Sequence, residues 1–198
     1  INTLKTLPKR EYISGYAEIV KYALIDDNAF FRTLEKNYRK ILNMDKKILE
    51  KIIAKCCEKK AKIVIKDEKE KNTRMLLNLG HTFAHAIEAE LDFKVRHGEA
   101  VALGLLMALK LSYFQKRVTE KEFNSVNAHL KNMNLPIRLN DISKKKEWAS
   151  DSLIKKMQSD KKINKNKLHF ILCNGIGNSF ISSNVSNKIL KKTIESMN

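Results

Sequence analysis

Apolar positions recur at three- and four-residue intervals along most of the chain, which predicts a mainly helical protein. Pro8 suits the first turn of a helix or the turn before one. Ser14 is placed to cap a helix running to about Ile25, with Ala17, Val20 and Leu24 on its apolar face. A short helix around Ala29 to Lys36 follows. Asp45 opens a long one, on which Ile48, Ile52, Cys56, Ile63 and Val64 fall near helical spacing, and the acidic cluster Asp67, Glu68 and Glu70 comes after it. Further helices are predicted from about Leu77 to Leu91 and from Glu99 to about Gln115. Thr119 with Glu122 is a capping box for a helix that stops before Pro136. Ser150 is placed to cap a short helix to Ser159, and Ser186 to cap the last helix. The segment Leu168 to Cys173, then Gly175-Ile176-Gly177, then Phe180 to Ser182 reads as a small β-hairpin. No internal repeat or low-complexity linker divides the chain, so residues 1–198 read as a single domain.

The chain is 43% hydrophobic, enough for one compact domain with a real core. No apolar run is long enough to span a bilayer, and no signal-peptide pattern follows Ile1. The expected location is therefore cytoplasmic, and a start at Ile rather than Met reads as a cut or processed end. Cys56, Cys57 and Cys173 are odd in number, and adjacent cysteines bridge poorly; all three read as reduced core or near-core thiols. The net charge of +17 raises nucleic acid, an acidic membrane surface or an anionic substrate as partners. The lysines are spread along the whole chain, often beside asparagine, and the run Lys144-Lys145-Lys146 has no interleaved aromatics. They read as solvated faces, a few of them available to an anionic substrate. A basic helical nucleic-acid module would need its lysines focused on one face and binding that weakens steeply with salt; no nucleic-acid partner is expected.

Three segments carry candidate chemistry. Arg74, Asn78, His81, His85 and Glu88 are spaced four, three, four and three apart, so in one helix they form a stripe across the apolar background of Met75, Leu76, Leu77, Leu79, Phe83, Ala84, Ala86 and Ile87. An outer face of this chain would carry Lys and Glu, whereas this one carries Asn and two His beside Gly80. Two His at i and i+4 suit one metal ion; they equally suit hydrogen bonds within a packed helix. His97-Gly98-Glu99 precedes a helix with Ala100, Ala102, Gly104 and Ala108, small residues that admit a close neighbouring backbone. Taken alone, His97 reads as a capping or surface residue. Glu18 and Lys21, at i and i+3, read alone as an ion pair, partly buried by Ala17 and Val20. Together the segments offer two histidines and a carboxylate, and His₂Glu with an open position is a catalytic zinc arrangement.

The blocks Ser14-Gly15-Tyr16-Ala17-Glu18-Ile19-Val20-Lys21-Tyr22, Asn78-Leu79-Gly80-His81-Thr82-Phe83-Ala84-His85-Ala86-Ile87-Glu88 and His97-Gly98-Glu99-Ala100-Val101-Ala102 resemble signature blocks of the 3-dehydroquinate synthase family. Leu4 to Pro8, Lys60 to Val64 with Asp67-Glu68, and Asp160-Lys161-Lys162 fit it in the same order, so the resemblance covers nearly the whole chain. It implies the multi-helix C-terminal, metal- and substrate-binding domain of that fold, with a short β-hairpin near its end. It further implies a carbon-oxygen lyase that converts 3-deoxy-D-arabino-heptulosonate 7-phosphate, a phosphorylated sugar acid, to 3-dehydroquinate and phosphate in the shikimate pathway. NAD would be used catalytically and the enzyme would be a homodimer at full length. Glu18, His81 and His97 would hold zinc or cobalt, and Lys21, Lys60, Arg74, Asn78, His85 and Lys161 would line the substrate site, with Lys162 the alternative to Lys161. The family's NAD-binding α/β domain and its Gly-rich phosphate loop have no counterpart among the 6 glycines here. The chain alone is therefore expected to turn over no substrate. A related sugar-phosphate cyclase, or a non-catalytic remnant that keeps the metal site, is the alternative; the Asn78 to Glu88 block fits the metal-dependent polyol dehydrogenases poorly.

Overall fold

The computed structural model describes residues 1–68, 73–144, 148–160 and 168–198. After a 3-10 turn (Asn2–Thr6) come α1 (Lys9–Asp26), α2 (Asn28–Leu42) and α3 (Lys46–Lys66). A 3-10 segment (Thr73–Asn78) leads into α4 (His81–Glu90), α5 (His97–Phe114), α6 (Glu120–Asn132), α7 (Leu139–Ile142) and α8 (Ser150–Asp160). The strands β1 (Phe170–Cys173) and β2 (Ser179–Ser182) pair antiparallel, Phe170 opposite Ser182 and Cys173 opposite Ser179, before α9 (Asn187–Glu195). The architecture is mainly helical with a two-stranded hairpin near its end, as the periodicity predicts.

Helix α5 is the centre. Fourteen of its eighteen residues are buried, so it has no polar face and is surrounded on all sides. It packs on α1, α4, α6, α9 and β1. Its Ser112 hydroxyl donates to the Ala108 carbonyl 2.7 Å away and accepts the Cys173 amide at 3.0 Å, which ties the helix to the hairpin. Phe83 and Phe170, with ring centroids 5.5 Å apart, close the space between α4 and β1. No helix is long and apolar enough to cross a membrane among the described residues.

Local signals set several helix starts. Asp27, Asp45 and Ser186 accept the amides of Phe30, Ile48 and Ile189, and Thr119 and Glu122 make the reciprocal capping box. Three expectations need correction, and one element was not foreseen. Helix α1 begins directly after Pro8, so Ser14 is buried inside it rather than capping it. Helix α2 continues past Lys36 to Leu42, because Leu34 and Ile41, two turns apart, are both buried while the intervening polar residues face outward. The short α7 has no counterpart in the apolar pattern. Cys173 is buried and Cys56 half-buried, but Cys57 is exposed, since α3 is peripheral and buries only Leu49, Ile52, Lys59 and Ile63.

One buried pair makes stability depend on pH. His129 on α6 is 2% exposed, with Nε2 2.9 Å from the Tyr16 hydroxyl and its ring edge-on to Phe31. Burial pushes its pKa down to about 4, against a small opposing pull from Glu35. A base lowered in the folded state stabilises fully above its unfolded pKa and loses that contribution as pH falls. Stability should therefore drop between about pH 6.5 and pH 4, by up to about 3 kcal/mol from this residue. Urea denaturation at pH 7 and pH 4.5 of wild type and His129→Gln measures it. The variant should lose less on acidification; an equal loss in both would assign the dependence elsewhere.

Candidate metal centre

Helix α1 presents Glu18 and Lys21 one turn apart. Lys21 is buried, and its ammonium lies 2.5 Å from Glu18 Oε2. The other carboxylate oxygen, Oε1, is buried and has no hydrogen-bond partner. An unpaired carboxylate oxygen kept from water is costly, so a buried orphan of this kind needs an explanation. Glu18 Oε1 lies 3.5 Å from Nε2 of His81 and 3.5 Å from Nε2 of His97.

Each histidine opens a helix, His81 at the start of α4 and His97 at the start of α5. His81 Nδ1 is 3.2 Å from the Leu79 carbonyl and His97 Nδ1 is 2.9 Å from Glu88 Oε1. Both partners accept, so in each neutral ring Nδ1 carries the hydrogen and Nε2 keeps its lone pair. Three lone pairs then converge with no hydrogen between them, which a cation would relieve. Burial, with the Lys21 ammonium, pushes His81 down to about 4 against the pull of Glu18. Burial works against ionisation of Glu18, but Lys21, with His81 and His97, outweighs it and the carboxyl titrates below its ordinary range. An ionised carboxylate and a neutral imidazole are the forms a metal ion requires.

The three donor atoms lie within 4.8 Å of one another. Tetrahedral zinc with bonds of about 2.0–2.1 Å separates its ligand atoms by about 3.4 Å, close to the two carboxylate–imidazole separations here. Among the described residues no fourth protein ligand joins the group, which matches a centre that keeps an open position. The donor set fits a zinc-type divalent ion.

Glycines bring these helices together. A Cβ on Gly98 would lie 1.8 Å from the Ser14 carbonyl oxygen, and one on Gly104 would lie 2.2 Å from that of Gly80. The Ser14 hydroxyl accepts the Gly98 amide at 3.1 Å, so Ser14 serves the N-terminus of α5, not its own helix. On either side of Gly98, Arg96 bonds Glu11 and Arg10 grips Glu99 through two contacts of 2.6 and 2.9 Å. His97 is thus set against α1 by its neighbours.

The predicted stripe is broken. Gly80, at φ 81°, separates the 3-10 segment from α4, so Arg74 and Asn78 do not share a helix with His81, His85 and Glu88. The break follows from packing: Gly80 meets α5 so closely that a Cβ there would sit 2.8 Å from the Leu105 amide nitrogen. His85 stays near the centre, its ring 5.6 Å from His81 and 6.4 Å from His97, but it is not part of the donor group. Arg74 is fixed to the end of α3, its Nη1 donating to the Glu68 carbonyl at 2.7 Å and its amide to Asp67. Lys60 is exposed on α3, whereas its neighbour Lys59 is buried against Asp26 and Asp27. Lys161 and Lys162 lie outside the described residues, as does Glu70. The partners that sequence reasoning missed are Glu88 for His97, and Ser14, Arg10 and Glu11 for the start of α5. The close approach itself was signalled by the small residues of α5, among them Gly104, which meets Gly80.

A profile of the family described as "3-dehydroquinate synthase C-terminal" matches residues 15–163. Among curated relatives, the 3-dehydroquinate synthase of Vibrio atlanticus is 40% identical over 195 residues, 98% of this chain and 52% of the relative. That of Caulobacter vibrioides is 42% identical over 193 residues, 96% of this chain and 52% of the relative. The chain thus spans about half the length of the curated relatives it matches. Among solved structures, 2-epi-5-epi-valiolone synthase from Streptomyces hygroscopicus, with NAD+ and Zn2+ bound, superposes with a TM-score of 0.86 at 22% identity, over 98% of this chain and 53% of that one. A 2-deoxy-scyllo-inosose synthase complexed with carbaglucose-6-phosphate, NAD+ and Co2+ gives 0.81 at 26% identity, over 97% and 54%.

Proposed function

Because the chain belongs to the 3-dehydroquinate synthase family, we propose that its residues 1–198 are one metal- and substrate-binding domain of an enzyme that converts 3-deoxy-D-arabino-heptulosonate 7-phosphate to 3-dehydroquinate and phosphate. The observation that carries the reading is the buried, partnerless Glu18 Oε1 facing two imidazole nitrogens. Glu18, His81 and His97 hold a zinc or cobalt ion, and Lys21, Lys60, Arg74, Asn78, His85 and Lys161 or Lys162 line the substrate. NAD is held mainly by an α/β domain that these residues do not contain, in a cytoplasmic enzyme that pairs as a homodimer.

The metal supplies Lewis-acid polarisation of substrate hydroxyls, and NAD a hydride acceptor that returns what it takes. The chain's own part is electrostatic and geometric. Lys21 is one turn from Glu18 and keeps that carboxylate ionised. The guanidinium of Arg74, with Nη1 already bonded to Glu68, has further N–H groups for the substrate carboxylate. His85, beside the other two rings, holds or moves a proton on the side where phosphate leaves. Positioning a substrate that carries its own acid and base groups accounts for the rest.

The test is phosphate release by this chain completed with the nucleotide-binding half of a relative such as the Vibrio enzyme, with NAD and Zn2+. Turnover of the heptulosonate phosphate, none of glucose 6-phosphate, and none by the chain alone are expected. Preference for the uncarboxylated sugar phosphate would turn the reading to a related cyclase. Metal binding with turnover of neither would leave a non-catalytic remnant.

A further inference from the structure

His97 is half exposed and stands at the first position of a helix, where a side chain has several rotamers open to it. Its ring nevertheless has a carboxylate oxygen beside each nitrogen. Nε2 faces Glu18 Oε1 at 3.5 Å, and Nδ1 meets Glu88 Oε1 at 2.9 Å. Glu88 lies in the last turns of α4 and is only 9% exposed. Burying a carboxylate is costly unless it is hydrogen-bonded, and the donor the structure sets against it is Nδ1–H of His97. His81 is keyed the same way by a backbone carbonyl, that of Leu79. The backbone fixes one imidazole and a side chain fixes the other, so the second can be altered by substitution.

We propose that Glu88 is the positioning residue of His97: it holds the ring by Nδ1–H and so presents the Nε2 lone pair to the point shared with Glu18 and His81. The proposal rests on the metal reading above. An acceptor at Nδ1 fixes the tautomer, and a charged one also raises the basicity of Nε2; losing such a partner typically weakens metal binding 10–100-fold. Without Glu88, the acceptor left beside the ring is Glu18 Oε1 at Nε2, which favours the tautomer whose hydrogen points at Glu18 and His81.

Two properties separate this role from a merely structural tie between α4 and α5: the metal affinity at unchanged stability, and the position of the His97 proton. Zn2+ is titrated against a chromophoric chelator into wild type, His81→Ala, Glu88→Ala and Glu88→Gln. The metal-free proteins are compared by thermal denaturation and by long-range ¹H–¹⁵N NMR of the imidazoles. Glu88→Ala should bind Zn2+ about 10–100-fold more weakly and move part of the His97 proton to Nε2. Glu88→Gln keeps a neutral acceptor, so it should preserve the Nδ1–H tautomer and lose less affinity than Glu88→Ala. An affinity within twofold of wild type in Glu88→Ala, or equal losses in both variants that track lost stability, overturns the proposal. If wild type and His81→Ala bind Zn2+ alike, the metal reading fails, and the His97 tautomer in the metal-free variants still decides the role of Glu88.

Discussion

Replacing Gly98 by alanine is expected to disable the protein more than any other one-carbon change at the site. The added Cβ would lie 1.8 Å from the Ser14 carbonyl oxygen and 2.4 Å from its carbon. These are backbone atoms in the middle of α1, so no side chain can swing aside, and α1 or α5 must shift by more than an ångström. Both helices are packed into the core, where interiors resist such movement. The shift also removes the hydrogen bond from the Gly98 amide to Ser14 and strains the Arg10–Glu99 and Arg96–Glu11 contacts beside it. A loss of about 4 kcal/mol or more is expected, in the range reserved for overpacking and broken buried networks. Whatever fraction still folds should bind Zn2+ poorly, because His97 moves away from Glu18. Urea denaturation and a metal titration measure both effects. Ser14→Gly should not rescue the variant, since the clash is with backbone; a stability within 1 kcal/mol of wild type would refute the packing account.

Glu18→Gln should abolish tight metal binding while leaving the fold in place. The amide has nearly the carboxylate's shape, so packing on α1 is kept. It lacks the negative charge that a divalent ion needs opposite two neutral imidazoles. The loss should exceed the 10–100-fold typical of an outer partner, because Glu18 is proposed as a direct ligand. Wild type should gain about 2.7 kcal/mol of stability when free Zn2+ is 100 times its dissociation constant, and Glu18→Gln should gain none at that concentration. A variant stabilised by Zn2+ as much as wild type would remove Glu18 from the ligand set. Lys21, buried and paired with Glu18 Oε2, makes His81→Ala a useful second variant, since that change leaves the ion pair intact.

The elements that the sequence made legible are those fixed by neighbours along the chain. Asp45, Ser186 and the Thr119–Glu122 pair cap the helices they precede, because a cap bonds amides only two or three residues away. The apolar run of α5 marks a helix for an equally local reason; its central place comes from the packing around it. The misreadings have a common cause in contacts between distant segments. Ser14 has the chemistry of a cap and does bond a helix N-terminus, but that of α5, 84 residues on. The spacing from Arg74 to Glu88 describes one helix, yet Gly80 breaks it where α5 presses against the chain. At the site, the motif blocks marked Glu18, His81 and His97, whose donor atoms the fold brings together. No periodicity could pair Glu88 with His97, because that contact depends on how the connection from α4 to α5 turns. Adjacent lysines on a helix point about 100° apart, and the spacing did not show that Lys59 turns inward to Asp26 and Asp27 while Lys60 faces out.

The burial of α5 on every side also bears on how the chain is made. Its covering comes from both directions along the sequence: α1 and α4 precede it, whereas α6, β1 and α9 follow it. On a ribosome, α5 therefore emerges with half of its apolar surface still waiting for a cover that is not yet translated. At ~5–20 residues per second, the 80-odd residues from Phe114 to the end of α9 take roughly 4–16 s to add. For that interval the helix that carries His97 exposes apolar surface of the kind that aggregates with neighbouring chains and that chaperones cover. Helix α9 supplies part of that cover, so a chain stopped short of it should be a client of quality control, not a slightly weakened protein.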